Sequence, residues 1–169
     1  MKKYLLSTAL MLVAIFSLTS CGDDEPKVKD TATATYNMSF SQDLLKACNV
    51  FITYKAENGR NVMDKITETW WSKTVTSDQF PAEFGVMYKF STVPDNELTQ
   101  EKYDLSCKLQ FSGRTSKGSS YSNEVTIIDL SGVEASKVVN TLKKYDGKST
   151  GFRVSKDGIY SSANNLDYE

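Results

Sequence analysis

No histidine occurs anywhere in the 169 residues. That absence removes Ser–His and Cys–His nucleophile pairs, histidine-bearing zinc sites and histidine general bases. Cysteine is scarce too: Cys21, Cys48 and Cys107 are the full set, and three thiols cannot build a four-thiolate metal site. No glycine-rich phosphate loop of the Walker or dinucleotide type is present. No basic stripe is present either, and 20 basic residues against 21 acidic ones leave nothing to hold a polyanion, so nucleic acid is excluded as a partner. These gaps lead to an expectation of no metal, no cofactor and no catalytic activity. Carboxylate chemistry survives them in principle. Glu68 would serve it if alternation from Ile66 to Trp70 turned it inward and burial raised its pKa; the alternative is a carboxylate at a sheet rim, reaching water. Asp95-Asn96-Glu97 reads equally as part of a calcium loop or as a plain turn.

What the sequence does have begins at its front. Lys2 and Lys3 precede an apolar run from Tyr4 to Leu18, the charge and length pattern of a secretory leader over residues 1–20. The run is too short to span a bilayer. It ends in Leu18-Thr19-Ser20-Cys21, which resembles the bacterial lipobox. The resemblance implies that Cys21 is the lipidation site, carrying diacylglycerol on its thiol and a further acyl chain, palmitate in kind, on its new amino terminus. One acyl chain anchors marginally and two or more anchor stably, so the membrane is an expected partner through lipid. Once the leader is removed, the 20 basic residues lose Lys2 and Lys3. The remaining 18 stand against 21 acids, a formal charge of −3. Residues 21–31, CGDDEPKVKDT, are charged and almost free of large apolar groups, as a flexible acidic tether would be.

From Ala32 onward apolar and polar residues alternate with period two, the strand signature. Tyr103, Leu105, Cys107, Leu109 and Phe111 form the cleanest face. Phe84, Val86, Tyr88 and Phe90 make a second, Val50, Ile52 and Tyr54 a third, and Tyr36, Met38 and Phe40 a shorter one. Strands with one wet face suit an antiparallel sandwich. Around Glu57-Asn58-Gly59 a three-residue loop, with Gly59 left-handed, pairs Val50 with Ile66 and Tyr54 with Val62. A two-residue turn would set apolar against polar. Carrying that register forward turns Trp70 inward and Trp71 outward. Ser131-Gly132-Val133-Glu134 has the form of a capping box, and Ala135, Val138, Val139, Leu142 and Tyr145 follow at helical spacing. A helix over about 132–146 is therefore expected, with Gly147 to stop it. Phe152 and Val154 suggest one more short strand. The expected architecture is mainly β: a single domain over 32–160, an antiparallel Ig-like β-sandwich with one C-terminal helix, and a polar tail, 161–169, that frays.

Two groups of residues are candidate sites. Trp71, with Phe51 and Met87, points outward by alternation and forms a candidate ligand platform, since an exposed aromatic with a polar rim suits a sugar or a protein partner. The alternative is that the helix covers this face. Cys48 and Cys107 both point inward and make a candidate disulfide, although parity alone does not show that their strands are neighbours; the alternative is two buried free thiols.

The lipobox with acids behind it, together with "SFSQDLLKACNVFITYKAENG" and "LTQEKYDLSC", resembles small Ig-like β-sandwich lipoproteins of Bacteroides-type bacteria over about Tyr36 to Leu130. The resemblance implies location and fold and hardly any chemistry: an outer-membrane lipoprotein, with acids after the cysteine acting as a signal for display at the cell surface. Two core cysteines about sixty residues apart also recur in immunoglobulin domains, where a Tyr lies two residues before the second Cys; here Tyr103 lies four before Cys107. The expected function is a lipid-anchored, non-catalytic binding or accessory module. The alternatives are a structural component of a surface assembly and a glycan-binding partner of a polysaccharide-uptake system.

Overall fold

The computed structural model describes residues 29–94 and 97–168. The leader, the lipidation site Cys21 and the acids behind it lie outside the described residues, as do Asp95 and Asn96 of the candidate calcium loop. The elements in chain order are β1 (Ala32–Phe40), α1 (Gln42–Ala47), β2 (Cys48–Lys55), β3 (Asn61–Ile66), β4 (Trp70–Ser77), β5 (Ala82–Thr92), β6 (Lys102–Thr115), β7 (Ser120–Glu134), α2 (Ala135–Lys143), β8 (Lys148–Val154) and β9 (Tyr160–Ser162).

The strands form two antiparallel sheets, one ordered β4-β1-β6-β7 and the other β3-β2-β5-β8-β9. Alternation decides what each sheet buries. In β1 the small and aromatic residues Ala32, Ala34, Tyr36, Met38 and Phe40 are buried while Thr33, Thr35, Asn37 and Ser39 are not. The inner faces meet in one core, with ring contacts between the sheets at Tyr36–Tyr54 (6.1 Å) and Phe111–Phe152 (5.6 Å). Edge-to-face pairs at these separations add to the burial of apolar area.

The β2–β3 hairpin has the expected register, Val50 opposite Ile66 and Tyr54 opposite Val62. Ala56 N–H donates to the Arg60 carbonyl at 2.7 Å and closes the three-residue loop. Gly59 is left-handed (φ 77°), and so is Asn58 (φ 56°), a residue type that tolerates that region.

Three expectations are corrected. The helix begins at Ala135 instead of about 132, because Ser131 and Gly132 belong to the end of β7; its N-cap is Glu134, with no side-chain cap bond. A six-residue helix, α1, precedes β2: Ser41 caps it by accepting from Leu44 N–H at 3.2 Å, and Leu44 and Ala47 are buried. The tail does not fray. Residues after β9 return along the outer face of the second sheet, where Ala163 N–H donates to the Gly151 carbonyl at 2.9 Å and Leu166 is buried. Helix α2 buries Val138 and Leu142 and packs on β5, β6 and β7.

Candidate functional site

The largest correction falls on the tryptophans. Trp71 is 9% exposed and Trp70 56%, the reverse of the expected parity. The chain leaves the second sheet at Ile66, spends Thr67-Glu68-Thr69 outside any strand, and enters the first sheet at Trp70. A change of sheet resets the alternation, because inward is defined by the new sheet. Trp71 then stands between the sheets, 6.4 Å from the Tyr36 ring and 5.4 Å from Tyr54. The opposite sheet, not the helix, covers it. Its indole N–H donates to Asp64 Oδ2 at 3.0 Å, and Lys73 Nζ lies 3.1 Å from the same oxygen. Burial alone would raise the Asp64 carboxyl, but the indole N–H and the ammonium together outweigh it and hold the group below its ordinary value.

The expected platform of Trp71, Phe51 and Met87 is therefore not assembled. Phe51 and Met87 are half-buried on the outer face of the second sheet, and Trp71 is in the core. Glu68 is exposed in the crossing segment, not turned inward. Cys48 and Cys107 are both buried, on β2 of one sheet and β6 of the other, and both are free thiols in this structure. Burial, with the Asp146 carboxylate nearby, pushes the Cys48 thiol up to about 12; burial, with Cys48 nearby, pushes Cys107 up as well. Cys48 donates to the Leu44 carbonyl at 3.4 Å. Thiols held protonated in this way are poor nucleophiles. Among the described residues no group of three or more Cys, Asp or Glu is placed to hold a metal ion, and no helix is long and apolar enough to cross a membrane.

The surface that does assemble polar groups is the outer face of the first sheet. Each of its four strands offers four consecutive outward positions in register, sixteen in all. Trp70, Ser39, Lys108 and Thr126 form the first row; Ser72, Asn37, Gln110 and Glu124 the second; Thr74, Thr35, Ser112 and Ser122 the third; Thr76, Thr33, Arg114 and Ser120 the fourth. None is buried. Rows repeat about every 6.7 Å along the strands and strands about every 4.8 Å across. Hydroxyls pair within the rows, Thr35 with Thr74 at 2.9 Å and Thr33 with Thr76 at 3.0 Å, and Ser72 donates to Asn37 Oδ1 at 2.7 Å. Fifteen of these positions are polar and one is aromatic. Trp70 was missed as a surface residue because strand phase was carried through the crossing. Reading β4 alone would have found it: Trp71 and Val75 share one parity, and Ser72, Thr74 and Thr76 share the other with Trp70.

Comparison with known proteins returns no matching family model, no matching curated sequence and no matching solved structure.

Proposed function

We propose that the protein is a lipid-anchored, non-catalytic binding or accessory module of the outer-membrane surface, and that the outer face of the first sheet is its binding face. One observation carries the reading: a register-matched array of polar side chains, broken by a single exposed aromatic. Antiparallel sheets commonly leave one face wet, but an indole left in water on such a face forgoes favourable burial and is the kind of feature that marks recognition sites. The orientation of the chain supports the same reading. Lys29 and Thr31 sit at the Ala32 end of β1, paired with Asp78 and Ser116, whereas Trp70 lies opposite Ser39, about 23 Å further along the strand. The Trp70 end of the face is thus the end remote from the point where the chain enters β1. Kinship with Ig-like sandwiches is part of this proposal, supported by Cys48 and Cys107 facing inward from different sheets.

The test uses full-length protein extracted in mild detergent and passed over the polysaccharide and protein fractions of its own cell envelope. Wild type should be retained by one fraction, and Thr35→Arg/Thr74→Arg, which crowds the middle of the face, should lose retention by at least tenfold while still folded at the assay temperature by circular dichroism. Equal retention of both overturns the assignment of the face. A structural role is the second reading, favoured by β7, whose 15 residues form an open edge of the first sheet. That reading expects retention on protein through the edge, indifferent to the face variant.

A further inference from the structure

We propose that the Trp70 end of this face is a subsite for a neutral glycan; the inference rests on the face being the binding face and names what it binds. Among the described residues the large apolar side chains left exposed are Met63, Trp70 and Ile159, so Trp70 is the one aromatic platform. It stands as a ridge between two shallow pockets. One, of about 120 Å³, lies over β1, β6 and β7, with Asn37, Gln110 and Glu124 around it. The other, of about 160 Å³, lies over the crossing segment with Thr67 and Glu68. Neither is a closed cleft. Each has room for a single small ring beside the indole, as a chain laid across the ridge requires.

The polar groups match a sugar in kind. A pyranose offers C–H faces to stack on an indole and a rim of hydroxyls, each both donor and acceptor. Asn37, Gln110 and Glu124 are direct register neighbours across three strands. Ser72 occupies the Asn37 carbonyl oxygen at 2.7 Å, which leaves the amide NH2 as the donor Asn37 can offer a ligand. Glu124 supplies acceptors only, and the Gln110 amide supplies both kinds. Charge is balanced in both pockets, which favours a neutral ligand: Glu124 stands with Lys108, itself 3.4 Å from Asp129, in the first, and Glu68 stands with Lys65 in the second. The threonine rows further along already satisfy each other and have no aromatic, so recognition concentrates at the Trp70 end. Glu68, exposed in the crossing segment, would serve here as a hydroxyl acceptor in the second pocket.

The test is titration of the detergent-solubilised full-length protein with neutral oligosaccharides (β-glucan, mannan, xylan and galactan fragments) and with oligogalacturonate as the acidic comparison, followed by tryptophan emission and calorimetry. The expected result is saturable binding of at least one neutral series and none of the acidic one. Trp70→Ala should weaken binding at least tenfold at unchanged Tm, Trp70→Tyr should recover most of it, and Asn37→Ala should weaken it several-fold. No neutral series binding at millimolar concentration, or undiminished binding by Trp70→Ala, overturns the proposal. If saccharides fail while Thr35→Arg/Thr74→Arg still abolishes retention on the protein fraction, the glycan is wrong and the binding face stands. If Thr35→Arg/Thr74→Arg retains its envelope ligand, the face itself fails.

Discussion

Asp64 shows how much one residue can tie together. It lies on β3, opposite Ile52, yet its partners Trp71 and Lys73 belong to β4 of the other sheet. The carboxylate thus bridges the two sheets at the rim of the core, beside the Tyr54 ring over which Lys73 Nζ sits at 5.9 Å. Because the folded-state pKa is held below the unfolded one, this carboxylate stabilises the fold at pH values above the unfolded value of about 3.9, and the contribution fades as pH falls through the lower, folded value. Stability measured in urea should therefore drop between pH 5 and pH 2. Asp64→Asn should cost about 1 kcal/mol at pH 7 and flatten part of that drop. A pH profile identical in Asp64→Asn and wild type would remove the bridge from the account.

At the scale of elements, the returning tail depends on two glycines that face each other across β5 and β8. Gly85 and Gly151 are register partners, and together they open a groove. A Cβ at Gly85 would meet the Tyr168 hydroxyl at 2.6 Å and Leu166 at 2.8 Å; one at Gly151 would meet Leu166 at 2.8 Å. The tail also covers Lys55, which is buried, lies 5.3 Å from the Tyr168 ring centroid and donates to the Asp167 carbonyl. Burial pushes the Tyr168 hydroxyl up in pKa, as expected of a phenol turned into the sheet. Deleting residues 163–169 should cost about 3–5 kcal/mol, the burial of Leu166 and Tyr168 taken together, and Leu166→Ala alone should cost about 2–3 kcal/mol. Unchanged denaturation midpoints for both would mean that the tail only rests on the sheet.

For the whole molecule, the open question is which way it faces. The proposal of surface display rests on Asp23, Asp24 and Glu25 directly behind the proposed lipidated Cys21. Intact cells carrying wild-type protein should lose it to added protease, whereas Asp23→Ala/Asp24→Ala/Glu25→Ala should leave it protected until lysis. Protection of the wild type in intact cells would place the domain in the periplasm. Equal accessibility of both would leave display standing and acquit the acids of causing it.

Local pattern was enough wherever one strand and its nearest neighbour decided the matter. The inward residues of β1, β2, β5 and β6, the β2–β3 register and the helical spacing of Val138 and Leu142 all follow from period two or 3.6 and from turn chemistry within a few residues. These terms are short-ranged and so are written in adjacent letters. The tertiary structure decided the rest. Trp70 and Trp71 exchanged roles because the chain changed sheets at Thr67-Glu68-Thr69, and no periodicity survives a change in what counts as inside. The Trp70 subsite combines β4, β1, β6 and β7, and strand order in a sheet is a long-range choice made by packing of the core. The tail, polar in composition, was ordered by a groove that exists only once Gly85 and Gly151 are paired. By itself the sequence determined which residues want to be dry; the packing of two sheets determined which of the remainder meet on one face, since that depends on contacts between residues far apart in the chain.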